Sequence, residues 1–161
     1  MNHLFQTILV GIGATATMDV YSIILNYFGI NTLNYKFLGR WIGYFFDGKF
    51  SHHTIFTSAS IKHEHLIGWI AHYIIGIIFA FLLVFVFGKK WLEHPTLLPA
   101  LIIGIVTVVA PFFFMQPAFG LGIAASNTPD PIKARIMSLI THTVFGFGLF
   151  LSAKILSFLI K

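Results

Sequence analysis

Leu66-Ile-Gly-Trp-Ile-Ala-His72-Tyr-Ile-Ile-Gly76-Ile-Ile-Phe-Ala-Phe-Leu-Leu-Val-Phe-Val-Phe87 contains no Asp, Glu, Lys or Arg, and His72 is its one histidine. At about 1.5 Å per residue a helix of this length spans the ~30 Å hydrocarbon core of a bilayer. Gly88-Lys89-Lys90-Trp91 follows. A glycine stop, two basic residues and an interfacial aromatic together mark a lipid boundary.

Three further apolar runs of similar length lie on either side. They predict spans over about residues 4–28, 97–119 and 136–160, besides 66–87. The fold class expected is an all-α integral membrane protein: a four-transmembrane-helix bundle, filling residues 1–161 as a single transmembrane domain. Composition agrees, with 57% hydrophobic and only 9% charged residues, a balance foreign to a water-soluble surface of this size. The net charge of +5 comes from ten Lys and Arg set singly or in pairs at the ends of apolar runs. That is headgroup anchoring, so the partner expected is the lipid bilayer and not nucleic acid. With no cysteine, disulfides and thiolate chemistry are excluded. The run after Met1 lacks a basic leader and stays apolar past signal-peptide length, so it reads as a retained span.

The ends of the spans carry local signals. Gly29 is placed to cap the first, and Pro99 falls in the first turn of the third. Pro111 falls inside the third span and should kink it and free a carbonyl. Ser126-Asn-Thr-Pro-Asp-Pro131 reads as a turn that closes one element before Lys133 and Arg135 open the next. Between spans one and two, residues 35–46 read as an interfacial amphipathic helix. Phe37, Leu38, Trp41, Ile42 and Phe45 lie on one face, Lys36, Arg40 and Asp47 on the other, and Asn34 caps its start. The remainder to His65 predicts a surface or re-entrant loop. Lys and Arg counts lean toward loops one and three in the cytoplasm.

Gly11, Thr15, Asp19, Ser22 and Asn26 share one face of the first span. Two other spans echo each other: Ile70-Ala-His72-Tyr-Ile-Ile-Gly76 resembles Ile140-Thr-His142-Thr-Val-Phe-Gly146, and Gly11 in span one matches Gly104 in span three. A duplicated helical hairpin would have this form.

Asp19, His72 and His142 are the ionisable side chains expected away from span ends. Depth counting at about 1.5 Å per residue puts both histidines roughly 10 Å below one surface and Asp19 within about a turn of them. Met115 and Gln116 reach the same half, with Ser22 and Thr15 on the Asp19 face. Such groups in low dielectric must pair, bind a cation or exchange protons. Three readings stay open. The polar groups form a structural knot holding the helices in register. Alternatively His72, His142 and Asp19 ligate a divalent first-row metal with Met115 as a softer ligand, or His72 and His142 ligate haem b with room beside Gly76 and Gly146. Or the layer relays protons or holds a small substrate. In loop one, His52, His53, His63, Glu64 and His65 suggest a metal-binding mouth through which a cation enters. No catalytic triad, paired carboxylates or phosphate loop is present, so no catalytic residue is assigned.

Leu38-Gly-Arg40-Trp41, Gly68-Trp69-Ile-Ala-His72-Tyr73, Leu97-Leu-Pro99-Ala100, Ala110-Pro111-Phe112, Met115-Gln116-Pro117 and Gly120 to Ser126, with His142 and Phe145-Gly146, resemble a bacterial membrane family catalogued as domain of unknown function 2938. The resemblance covers essentially the whole chain. It implies four spans and a bacterial inner (cytoplasmic) membrane, and it carries no mechanism. The function expected is a small membrane protein binding or transporting a cation or proton. The alternatives are a non-catalytic structural or accessory subunit of a membrane complex, and a metal or haem redox subunit; a pore would require a homo-oligomer, since four helices enclose little space.

Overall fold

The computed structural model describes residues 2–160, and no strand occurs among them. The α-helices are α1 (His3–Tyr27), α2 (Lys36–Gly43), α3 (Glu64–Phe87), α4 (Lys90–Glu93), α5 (Leu97–Val106), α6 (Gln116–Ala118) and α7 (Pro131–Leu159), with shorter 3-10 turns at Tyr44–Asp47 and Ile123–Ala125. Four helical stretches are long and apolar enough to cross a membrane: α1, α3, Leu97–Ala118 and α7. Their outer faces suit an apolar solvent. Ile70, Ile74 and Ile78 form a stripe on α3 with each residue at least half exposed, a surface that water penalises.

Most ends lie where local chemistry puts them. Asn2 caps α1 by accepting from the Leu4 amide at 3.0 Å. Gly29, at φ +76°, closes it, with Ile30 N–H bonded to Leu25 O and Gly29 N–H to Asn26 O. This is the paired 6→1 and 5→2 pattern that needs a left-handed residue after the last turn. Asn34 accepts from the Lys36 amide at the start of α2, as expected. The fourth long helix starts earlier than expected. Pro131 opens α7 instead of closing the turn before it, because Asp130 Oδ1 accepts from the Lys133 amide and caps the helix. Proline in the first turn gives up an amide that would have had no helical partner anyway.

Pro111 acts as its chemistry requires. The α-helical ladder of α5 ends at Val106, and Pro111–Met115 winds as π-helix, with the Gln116 amide reaching back to Pro111 O. A missing amide and a bulky ring are accommodated by widening the turn.

The chain forms two compact units. The first comprises residues up to Thr32, Tyr73–Thr107 and the stretch from Ile140. Its core joins Val10 and Ala14 of α1, Ala80 and Leu83 of α3, Trp91 and Leu92 of α4, Ala100 and Ile103 of α5, and Phe145, Leu149 and Ala153 of α7. Glycines set the spacing of its helices. A Cβ on Gly104 would lie 2.5 Å from the Gly146 Cα, and one on Gly11 would lie 2.6 Å from the Ile77 Cα. The echo noted in the sequence thus has a structural counterpart. In α1, Thr15 Oγ1 donates to Gly11 O at 2.8 Å where Gly76 packs. Next to Gly146, Thr107 Oγ1 donates to Gly104 O at 2.6 Å.

The second unit comprises Leu33–His72 and Val108–Leu139. Here α2 crosses the start of α3 at Gly39 and Gly68: a Cβ on Gly39 would overlap Glu64 O, and one on Gly68 would overlap Tyr35 O. The loop after α2 completes the end of α6. His52 N–H and Ile55 N–H donate to Ala118 O and Phe119 O at 2.9 and 3.1 Å, satisfying carbonyls the helix leaves open. Ile55 is fully buried.

Arg40 corrects one expectation about α2. Assigned to the polar face, it is instead 6% exposed and turned inward. Its Nε and Nη2 donate to Glu64 Oε2 and Oε1 at 2.8 and 2.9 Å, and Nη1 donates to the carbonyls of Ile55 and Ser58 at 3.1 and 2.8 Å. A planar fork meeting a carboxylate is the geometry in which burying a guanidinium is tolerated.

Candidate polar site within the long helices

Asp19 lies on the buried face of α1 with Gly11 and Thr15, 7% exposed. Its Oδ2 accepts a 2.9 Å hydrogen bond from the Tyr73 hydroxyl of α3. An ionisable carboxyl in such an apolar helix is costly unless bonded, and a phenol supplies the bond without a charge. His142 of α7 is equally buried, and its Nδ1 is 3.0 Å from Thr107 Oγ1. Asp19 and His142 belong to the first unit.

His72 belongs to the second. Tyr35 stacks on its ring, with centroids 4.0 Å apart and planes 23° apart, and Trp69 meets the Tyr35 ring edge-on at 4.9 Å. Gln116, at the end of the π-helical stretch, donates weakly from Nε2 to Ser138 Oγ at 3.4 Å, and its buried Oε1 has no partner in the structure. Met115 closes that stretch, and Ser22 is half-buried on α1. A cavity of about 240 Å³ opens near the start of α1, between Val10, Leu92, Glu93, His94 and Leu156. None of the expected site residues lines it.

The loop histidines are not gathered. His52 Nδ1 bonds Ser58 Oγ at 3.1 Å while its buried Nε2 is unpartnered. Burial first, and the Lys49 ammonium second, push this imidazole below its usual range. His53, His63 and His65 are exposed, His63 with φ +61°. Glu64 is engaged by Arg40, whose guanidinium is raised further above its usual range chiefly by that hydrogen bond.

Among the described residues no three His, Asp or Glu side chains form a group able to hold a metal ion. A haem fits no better. The space expected beside Gly76 is taken by Thr15 and Gly11 O, and that beside Gly146 by Ala100 O and Gly104. Glycine there serves helix contact and leaves no slot for a macrocycle.

Pattern reading missed Tyr73, Thr107 and Tyr35 as partners of Asp19, His142 and His72. Thr107 had a signal. Gly11 and Gly104 were matched by the internal echo, and a threonine follows each within one helical turn.

The family model of proteins of unknown function DUF2938 matches residues 8–156. The chain belongs to this family. No curated protein and no solved structure matches it. In this DUF2938 member, Asp19 and His142 are buried ionisable groups of the long helices, each bonded to a hydroxyl.

Proposed function

We propose that the protein lies in a bacterial inner membrane, crosses it four times, and uses buried Asp19 and His142 to bind and pass a proton or small cation. The observation that carries this reading is the Asp19–Tyr73 pair. It is a carboxyl group buried in an apolar helix that accepts a hydrogen bond from a tyrosine hydroxyl of the neighbouring long helix. A carboxyl group at this depth is costly to keep unless its charge has a use. It gives a site that can change charge, which is why such residues mark ion and proton paths. Lys and Arg placement supports cytoplasmic loops one and three.

The test is reconstitution into liposomes containing a pH-sensitive dye, followed by an imposed potential. Wild type is expected to dissipate it by proton or cation flux, and Asp19→Asn and His142→Gln to reduce that flux at least tenfold while remaining folded. Equal rates in wild type, both variants and empty liposomes would remove the reading.

A second reading has its own observation. The glycine contacts of α1 with α3 and of α5 with α7 stand beside hydrogen-bonded hydroxyls, as in a register lock. A structural or accessory subunit of a membrane complex would then lose stability in the same variants, typically about 0.6 and at most ~1.7 kcal/mol per bond, with no flux to lose.

A further inference from the structure

Thr107 Oγ1 makes two short contacts, 2.6 Å to Gly104 O and 3.0 Å to His142 Nδ1. A hydroxyl has one proton. Two oxygens at 2.6 Å without a hydrogen between them would repel, so the proton lies toward Gly104 O. The carbonyl has need of it: Gly104 is in the last turn of α5, where the ladder runs short of amide donors before Pro111. The hydroxyl oxygen then presents lone pairs to Nδ1. A second lone pair facing it at 3.0 Å would also be repulsive, so Nδ1 carries a hydrogen and donates.

We infer that Thr107 is a positioning residue that holds neutral His142 as the Nδ1–H tautomer, making Nε2 the atom at which this ring gains and loses a proton. The balance is simple. A proton arriving at Nε2 yields an imidazolium whose Nδ1–H still donates to Thr107, and its departure restores the starting bond. Neither side chain turns. The opposite tautomer would require the Thr107 hydroxyl to abandon Gly104 O. The close approach at Gly104 and Gly146 puts the threonine within reach. Thr15 makes a comparable bond beside Gly76, to the carbonyl four residues back instead of three.

The role of Nε2 as a proton acceptor rests on the proposed function, whereas the tautomer does not. The experiment is nitrogen-15 NMR of histidine-labelled protein in lipid nanodiscs, with the His142 signals assigned by difference from His142→Gln. Wild type at alkaline pH, where the imidazole is neutral, is expected to show a protonated Nδ1 and a bare Nε2 at His142. Thr107→Val should lose the single-tautomer signal, and Thr107→Ser should restore it. An Nε2–H signal in wild type, or an unchanged tautomer in a folded Thr107→Val, overturns the inference. If Thr107→Val does not fold, the wild-type spectrum alone decides. The expected tautomer without flux in liposomes sinks the transport reading and leaves this one standing, and flux with the opposite tautomer does the reverse.

Discussion

Arg40 and Glu64, 24 residues apart in the chain, meet through two hydrogen bonds of 2.8 and 2.9 Å at a place where each residue is less than a tenth exposed. The same guanidinium holds the carbonyls of Ile55 and Ser58, so one side chain ties α2, the following loop and the start of α3. Removing one member leaves a buried charge unmet. Arg40→Ala is expected to cost about 3–5 kcal/mol. The double change Arg40→Met with Glu64→Leu should cost clearly less than Arg40→Ala alone. Unfolding in mild detergent measures both, and equal losses would argue against an isolated ion pair.

Glycine contacts in the first unit make a second prediction. A methyl at Gly104 or Gly146 would meet backbone at 2.5 or 2.8 Å, and backbone yields less readily than a side-chain tip. Gly104→Ala and Gly146→Ala are each expected to destabilise by about 1–3 kcal/mol. Gly29 has nothing within 4 Å and is glycine only for its positive φ, so Gly29→Asn should stay within about 0.5 kcal/mol. The same unfolding assay separates the two classes.

His52 links loop one to pH. Its folded pKa is depressed by burial and then by Lys49, so the unfolded chain takes up a proton more readily. Its contribution is fully present above the ordinary value of about 6.5 and is lost as pH falls through that value toward the lower folded one. Wild type should therefore lose stability between about pH 7 and pH 5, and His52→Gln should lose less. Thermal melts of the two proteins across that range decide it: parallel curves would mean that His52 is not the group responsible.

Topology is directly measurable because the chain has no native cysteine. Ser51, Thr96 and Ser126 are exposed and sit in loops one, two and three. In intact cells, an impermeant thiol reagent is expected to label Thr96→Cys but not Ser51→Cys or Ser126→Cys. The reverse pattern would invert the orientation, and labelling of all three would contradict alternate sides for successive loops.

What the sequence alone determined was local. Apolar runs of bilayer length specified the four long helices, and Gly29, Gly88 and Asn34 marked ends because their conformational and capping preferences act within a few residues. Pro111 announced a defect for the same reason, although its form as a π-helical turn depended on the Gln116 amide reaching back. Pro131 was misread because proline both follows turns and opens helices, and only the Asp130 cap decides between them. Asp19, His72 and His142 were legible as unusual side chains in apolar surroundings. Their partners were not. Arg40 on a short helix, Tyr73 beside a histidine and Thr107 near a helix end carry no pattern that says which neighbour they face. That depends on how far each helix is rotated and how closely it approaches the next, here about the van der Waals limit at Gly104 and Gly146. Hydrogen bonds fall off within an ångström, so tertiary packing alone decided which polar groups pair.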